Sequence, residues 1–183
     1  MDTEIILVVS LIVISILFVI FVVLVWLHVS QKKSMLPELS KSKTNMADMS
    51  YDFNYKQFKQ NIADGRAQLE VELKDASFSE RENLIRKYYN QELYVYDYSK
   101  FENIVDKQLN NFAKKMQVEY PALSQKEVVL SVLYLLEVSD SDICSVLDYS
   151  ITSLPTVKNR LCKKLNAPHA SGLTSFLYNF MVR

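Results

Sequence analysis

The residues best suited to binding chemistry form a short basic segment near the end of the chain. Between Ser153 and Leu165 there are four cationic side chains and no acidic one, although the whole chain balances 21 basic against 21 acidic residues. At about 100° per residue on a helix, Leu154, Leu161 and Leu165 share one side and the polar residues face away. Such an outward polar arc can hydrogen-bond to base edges and neutralise phosphates in the major groove of duplex DNA.

Individual residues of this segment suit different contacts with DNA. An asparagine near the start of a recognition helix can pair with adenine through two hydrogen bonds, and later cations meet phosphates. We therefore predict six DNA-binding residues: Thr156, Lys158, Asn159, Arg160, Lys163 and Lys164. A solvated surface helix has the same composition, and the upstream acids Glu137, Asp140, Asp142 and Asp148 would repel phosphate. Both interpretations stay open at this point.

Three consecutive helices are predicted to hold the basic segment in place. Ser124-x-x-Glu127 is a capping-box pattern in front of the apolar run VVLSVLYLLEV. Ser139 to Asp142 offers side-chain oxygens to the free N–H groups of a short second helix. Ser153 is predicted to cap the third helix, with Pro155 in its first turn, where proline costs little. An apolar helix, a short helix, a turn and a basic helix are the parts of a helix-turn-helix.

The middle of the chain, residues 55–118, is predicted to be a helical stalk or dimerisation region. Apolar residues from Tyr55 to Ala76 fit an amphipathic helix, and Ser79-x-x-Glu82 predicts the capped start of a second one. Ser99 is expected to cap a third helix that continues to Val118. The stretch ELYVYDYS, residues 92–99, lies between the second and third of these predicted helices. Its tyrosines alternate with other residues, which predicts either a loop whose tyrosines pack on neighbouring helices or a surface that binds a partner. With only two glycines in the chain, we predict an all-α fold.

The N-terminal part is predicted to be a membrane anchor. From Ile5 to Val29 the only ionisable side chain is His28, and this run is long enough to cross a hydrocarbon core of about 30 Å. Its acidic start and length are unlike those of a cleaved signal peptide. Lysines at 32, 33, 41 and 43 predict that the following chain is cytoplasmic. We expect an anchor at 1–30 in the inner membrane and a juxtamembrane linker at 31–54.

Catalytic, metal and cofactor sites are not expected. Cys144 and Cys162 match no metal-binding spacing and are interpreted as small hydrophobic residues. His28 and His169 have no nearby nucleophile or carboxylate pattern. A phosphate-binding loop is not expected, because the only glycines are isolated. The sequence therefore predicts a protein that is not an enzyme.

Residues 120–165, YPALSQKEVVLSVLYLLEVSDSDICSVLDYSITSLPTVKNRLCKKL, resemble a known family. The matching features are Tyr120-Pro121-x-Leu123-Ser124-x-x-Glu127, Asp142-Ile143, and Val157-x-x-Arg160-Leu161-x-Lys163-Lys164-Leu165. They resemble the C-terminal helix-turn-helix of LuxR-type bacterial transcription regulators, in the membrane-anchored variant. The tail GLTSFLYNFMVR is similar to the closing helix of that variant. The resemblance implies a domain at 119–183 that binds double-stranded DNA.

Two hypotheses for function follow from these features. The first is a single-pass membrane-anchored DNA-binding transcription regulator, for which a membrane sensor partner and a homodimer are expected as options. The second is a membrane-anchored helical adaptor with a degenerate helix-turn-helix. Its working surfaces would be the Tyr88–Tyr98 cluster and the Tyr55–Ala76 stripe.

Overall fold

The computed structural model describes residues 50, 52–167 and 169–183. Within these residues there are eight α-helices, one short 3-10 helix and no strand, which confirms the all-α fold class. Helix α1 covers residues 52–73. The others are α2 (Phe78–Leu93), α3 (Tyr98–Gln108), α4 (Phe112–Glu119), α5 (Gln125–Leu135), α6 (Asp140–Leu147), α7 (Leu154–Leu165) and α8 (Leu173–Val182), with the 3-10 helix at Ala170–Gly172.

Helix α2 begins two residues before the predicted position. The Glu80 carboxylate accepts hydrogen bonds from the Ser77 N–H at 2.8 Å and the Ser77 hydroxyl at 2.6 Å. The predicted capping pair of Ser79 and Glu82 is wrong, because the segment SFSERE contains two overlapping patterns of the same type. The register that forms buries three residues of the helix: Ile85, Tyr89 and Leu93.

The predicted long helix ending at Val118 is divided into α3 and α4. Asn110 and Asn111 lie between them with φ angles of 53° and 56°, a left-handed conformation that asparagine adopts more readily than most residues. The buried Asp106 carboxylate accepts from the Ala113 and Lys114 N–H groups and so caps α4. One apolar stripe therefore becomes two packed helices.

Helix α3 starts at a different residue from the one predicted, and the tyrosine-rich loop before it packs on the core. Asp97, rather than the predicted Ser99, is the N-cap, and its carboxylate accepts from the Lys100 N–H. Tyr94 ends α2 in a left-handed conformation. The Tyr96 hydroxyl donates to the Val146 carbonyl at 3.0 Å, so this loop packs on α6.

The core is built around α5, in which every residue from Val128 to Leu135 is buried. Helix α8 packs on α5, and α2 packs on α6. At the start of α1, the Tyr55 hydroxyl donates to the Leu135 carbonyl at 3.0 Å. Residues from both sides of the predicted boundary at 119 therefore share one core, and residues 48–183 form one compact unit.

The predicted membrane anchor and most of the predicted linker concern residues that the structure does not describe. The anchor at 1–30 and most of the linker at 31–54 lie outside the described residues. Among the helices that are described, none combines the length and hydropathy needed to span a bilayer. Helix α1 takes up the last residues of the predicted linker, starting at residue 52.

Candidate nucleic-acid interface

Helices α5 and α6 begin where the sequence predicts. The Glu127 carboxylate accepts from the Ser124 N–H at 2.8 Å, and the Glu127 N–H donates back to the Ser124 hydroxyl, which completes the capping box. The Ser139 hydroxyl accepts from the Asp142 N–H and caps α6. Both caps hold the helix ends that frame α7.

Helix α7 starts at the predicted place, with Ser153 at the N-cap position, but the Ser153 side chain does not hydrogen-bond to the helix. Ser153 is in a helical conformation, and its hydroxyl donates to the Ser150 carbonyl at 2.9 Å instead of capping the helix. Ser153 therefore occupies the predicted N-cap position but makes no side-chain capping hydrogen bond, because its side chain turns back into the preceding loop. The Ser150 hydroxyl accepts from the Ser153 N–H instead. Pro155 lies in the first turn of α7, as expected.

The inner face of α7 is apolar, as the helical wheel predicts. Leu154, Leu161 and Leu165 are buried. Cys162 is buried beside them, and its burial raises the pKa of the thiol, so it packs as a small hydrophobic residue. Asn166 ends the helix in a left-handed conformation.

Four of the predicted DNA-binding residues form a solvent-exposed arc on α7: Thr156, Asn159, Arg160 and Lys163. We call these four residues the α7 arc. Their exposure shows that α8 does not cover them. Within the part of the chain that the structure describes, Arg160 and Lys163 form no ion pair.

The remaining two predicted residues are held by α5. The Lys164 ammonium donates to the Glu127 carboxylate at 2.7 Å and to the Ala122 carbonyl at 3.1 Å. The Lys158 ammonium lies 4.5 Å from the centre of the Tyr134 ring, a cation–π distance. Lys164 is nevertheless exposed and Lys158 is half-buried, so the six predicted residues divide into the four of the α7 arc and two whose ammonium groups contact α5.

The Lys164 contact changes the acidity of its partner. Partial burial of Glu127 would raise the pKa of its carboxyl, but hydrogen bonds from Lys164 and Ser124 outweigh burial and hold this pKa below its ordinary value. Glu127 therefore stays ionised and keeps one end of α7 next to the start of α5.

Three of the four acidic residues that precede α7 in sequence form ion pairs with cations of α1 and α2. The sequence suggests that these acids would repel phosphate. In the structure, each of three ion pairs joins one such acid to a more N-terminal helix: Glu137–Lys59 at 2.6 Å, Asp142–Arg66 at 2.5 Å and Asp148–Arg86 at 2.5 Å. Asp140 is exposed and lacks an ion pair among the described residues. Three of the four acids upstream of α7 are thus paired with cations.

The Arg66–Asp142 pair is a feature that the sequence analysis missed. Two guanidinium nitrogens of Arg66 donate to the two Asp142 oxygens at 2.5 and 3.1 Å, and a third donates to Glu70 at 2.9 Å. The Tyr89 hydroxyl also donates to Asp142 at 3.1 Å, and burial raises the pKa of Tyr89. The Asp142 side chain is only 4% exposed. This cluster fixes the first turn of α6, and its members are too far apart in sequence for a local signal.

Other kinds of site have less support. Among residues 50, 52–167 and 169–183, no group of three or more His, Cys, Asp or Glu side chains is placed to hold a metal ion. Comparison with known proteins finds no matching family model, no matching curated protein and no matching solved structure. The case for function therefore depends on the geometry of this surface and on the sequence features around it.

Proposed function

We propose that this chain is a single-pass membrane-anchored DNA-binding transcription regulator that docks α7 in the major groove. The observation that carries the proposal is the α7 arc, in which Arg160 and Lys163 are exposed to solvent. The upstream acids Glu137, Asp142 and Asp148 form ion pairs with α1 and α2. A cationic helix with polar residues near its start matches the chemistry of a groove-binding helix.

Each residue of the α7 arc has a distinct role in this proposal. Thr156 and Asn159 meet base edges, and Arg160 and Lys163 neutralise phosphates. Lys164 acts as a positioning residue because its ammonium is paired with Glu127, and Lys158 does so because its side chain is half-buried against Tyr134. With two phosphates neutralised by the arc, log K falls with log salt at a slope of about −1.8 per subunit.

The location of the protein is part of the same proposal. The apolar run from Ile5 to Val29 and the lysines that follow it favour an inner-membrane anchor with the helical unit in the cytoplasm. The resemblance to LuxR-type regulators supports DNA binding by residues 119–183. A membrane sensor partner and a homodimer are compatible additions to this arrangement.

The test is duplex binding by the full chain kept in a non-ionic detergent. Fluorescence anisotropy with a labelled random-sequence duplex is measured over a series of salt concentrations. The double variant Arg160→Ala, Lys163→Ala is expected to lose nearly all affinity. A matched variant, Lys74→Ala with Lys87→Ala, removes two exposed lysines elsewhere. No binding by the wild type at low salt, or equal losses in both double variants, would overturn the proposal.

In the adaptor alternative, fewer tyrosines are available to bind a partner than the sequence suggests. Tyr88 donates to the Ile62 carbonyl at 2.6 Å, and Tyr55 and Tyr89 are buried, so these three side chains serve internal packing. Tyr96, at 56% exposure, stays available beside Tyr94. A photo-cross-linking residue at position 96 that captures a protein in membranes, together with absent duplex binding, would favour the adaptor.

A further inference from the structure

We infer that the DNA-binding surface extends beyond α7 onto the first turn of α5, where Lys126 contacts a phosphate of the duplex. This inference rests on the proposed function and names an additional part of the same surface. Lys126 is exposed and forms no ion pair within the described residues.

The first turn of α5 lies alongside α7. Glu127 binds Lys164 near the C-terminal end of α7. Its neighbour Lys126 places its ammonium 4.3 Å from the centre of the Tyr149 ring, just before the turn that leads into α7. These two contacts connect adjacent residues of α5 to the C-terminal part of α7 and to the loop that precedes α7.

The Glu127–Lys164 contact shows which flank of α7 faces the first turn of α5. Residues four apart on a helix are neighbours on its surface, so Arg160 lies next to Lys164. Because Lys164 reaches Glu127, the first turn of α5 lies on the flank of α7 next to Arg160, whereas Tyr134 near the other end of α5 contacts Lys158 on the opposite flank. Lys126 precedes Glu127, so it belongs to the same turn of α5 that contacts the Arg160 flank of α7, and we infer that the backbone of a docked duplex would continue over this turn.

The charges around Lys126 leave its ammonium available to a phosphate. Glu127 is engaged by Lys164, and Asp148, which lines a groove together with Lys126, is engaged by Arg86 at 2.5 Å. The Tyr149 ring holds the ammonium by a cation–π contact and limits its freedom before binding. A preordered lysine loses less conformational entropy when a phosphate arrives.

This contact would set the position of the protein on DNA without reading sequence, because phosphates carry no base information. The test compares Lys126→Gln with Lys87→Gln in the full chain, using the labelled random-sequence duplex. Lys126→Gln is expected to make the salt slope shallower by about 0.9. Tyr149→Leu is expected to weaken binding less than Lys126→Gln does, because the ammonium remains.

The outcomes separate this inference from the proposed function. Circular dichroism first checks that Lys126→Gln keeps the wild-type helix content. A slope equal to that of Lys87→Gln, in a protein that loses binding on removal of Arg160 and Lys163, overturns the Lys126 contact alone. A wild-type chain that binds no duplex at low salt overturns both.

Discussion

The guanidinium of Arg66 on α1 and the carboxylate of Asp142 on α6 form a two-point hydrogen-bonded ion pair, with N–O distances of 2.5 and 3.1 Å. The two residues are 76 positions apart. Their side chains are 20% and 4% exposed, so the pair is largely shielded from water. Helix α1 therefore supports α6 directly and is more than a spacer in front of it.

We expect Arg66→Met to lower the free energy of unfolding by about 3 kcal/mol, because it leaves the buried Asp142 carboxylate without its cation. Urea unfolding followed by circular dichroism measures this change. Lys87→Met is the control, since Lys87 is exposed and has no ion pair among the described residues. Equal midpoints for the two variants would show that the pair adds no stability.

The ion pair between Glu127 and Lys164 predicts a pH-dependent stability. The pKa of Glu127 is lowered in the folded protein, so this group stabilises the fold above its ordinary value of 4.5. That stability is lost as the pH falls through the lowered pKa. Glu127→Gln is expected to remove about 0.5–1 kcal/mol of this pH dependence, measured as urea midpoints from neutral to acidic pH. An unchanged pH profile, matching that of the exposed-residue control Glu72→Gln, would contradict the prediction.

Asn159 is expected to contribute sequence preference more than affinity. In Asn159→Ala, discrimination at one base position should fall by about 1–3 kcal/mol, while the salt slope stays constant. Selection of duplexes from a random pool, followed by competition binding, measures both quantities. The exposed Ser175→Ala on α8 serves as the control. A uniform loss of affinity for all sequences would assign Asn159 to the DNA backbone instead.

The two glycines predict different responses to alanine. A Cβ added to Gly65 inside α1 would lie 2.6 Å from the Tyr88 hydroxyl oxygen, whereas one on Gly172 meets no atom within 4 Å. Alanine normally stabilises a helix interior by about 0.8–1.0 kcal/mol over glycine. We expect Gly65→Ala to be destabilising, because Tyr88 must give up its bond to Ile62.

Thermal unfolding of both single variants and of Gly65→Ala in a Tyr88→Phe background tests the glycine prediction. Gly172→Ala should have little effect, since no φ strain or close neighbour is present there. The Tyr88→Phe background should reduce the cost of Gly65→Ala by removing the nearest atom. A stabilised Gly65→Ala protein would show that Tyr88 moves aside freely.

Local features of the fold were predictable from sequence, and long-range pairs were not. The capping box of Ser124 and Glu127 and the limits of α7 follow from residues within a few positions of each other. The helical wheel places Lys164 at the edge of the α7 arc, but it gives no information about Glu127, 37 residues away. The sequence therefore indicated which side chains of α7 point away from its apolar face, but it did not indicate which of them contact other helices.

The interleaved helices also limit where a protease could cut the chain and leave α5 to α8 with their supporting contacts. A cut before residue 50 would leave intact the ion pairs that α1 makes with Glu137 and Asp142. A cut after residue 73 would remove Lys59 and Arg66, and Asp142 would lose its cation at the foot of α6. Only release on the N-terminal side of α1 would yield a fragment that keeps the architecture described above.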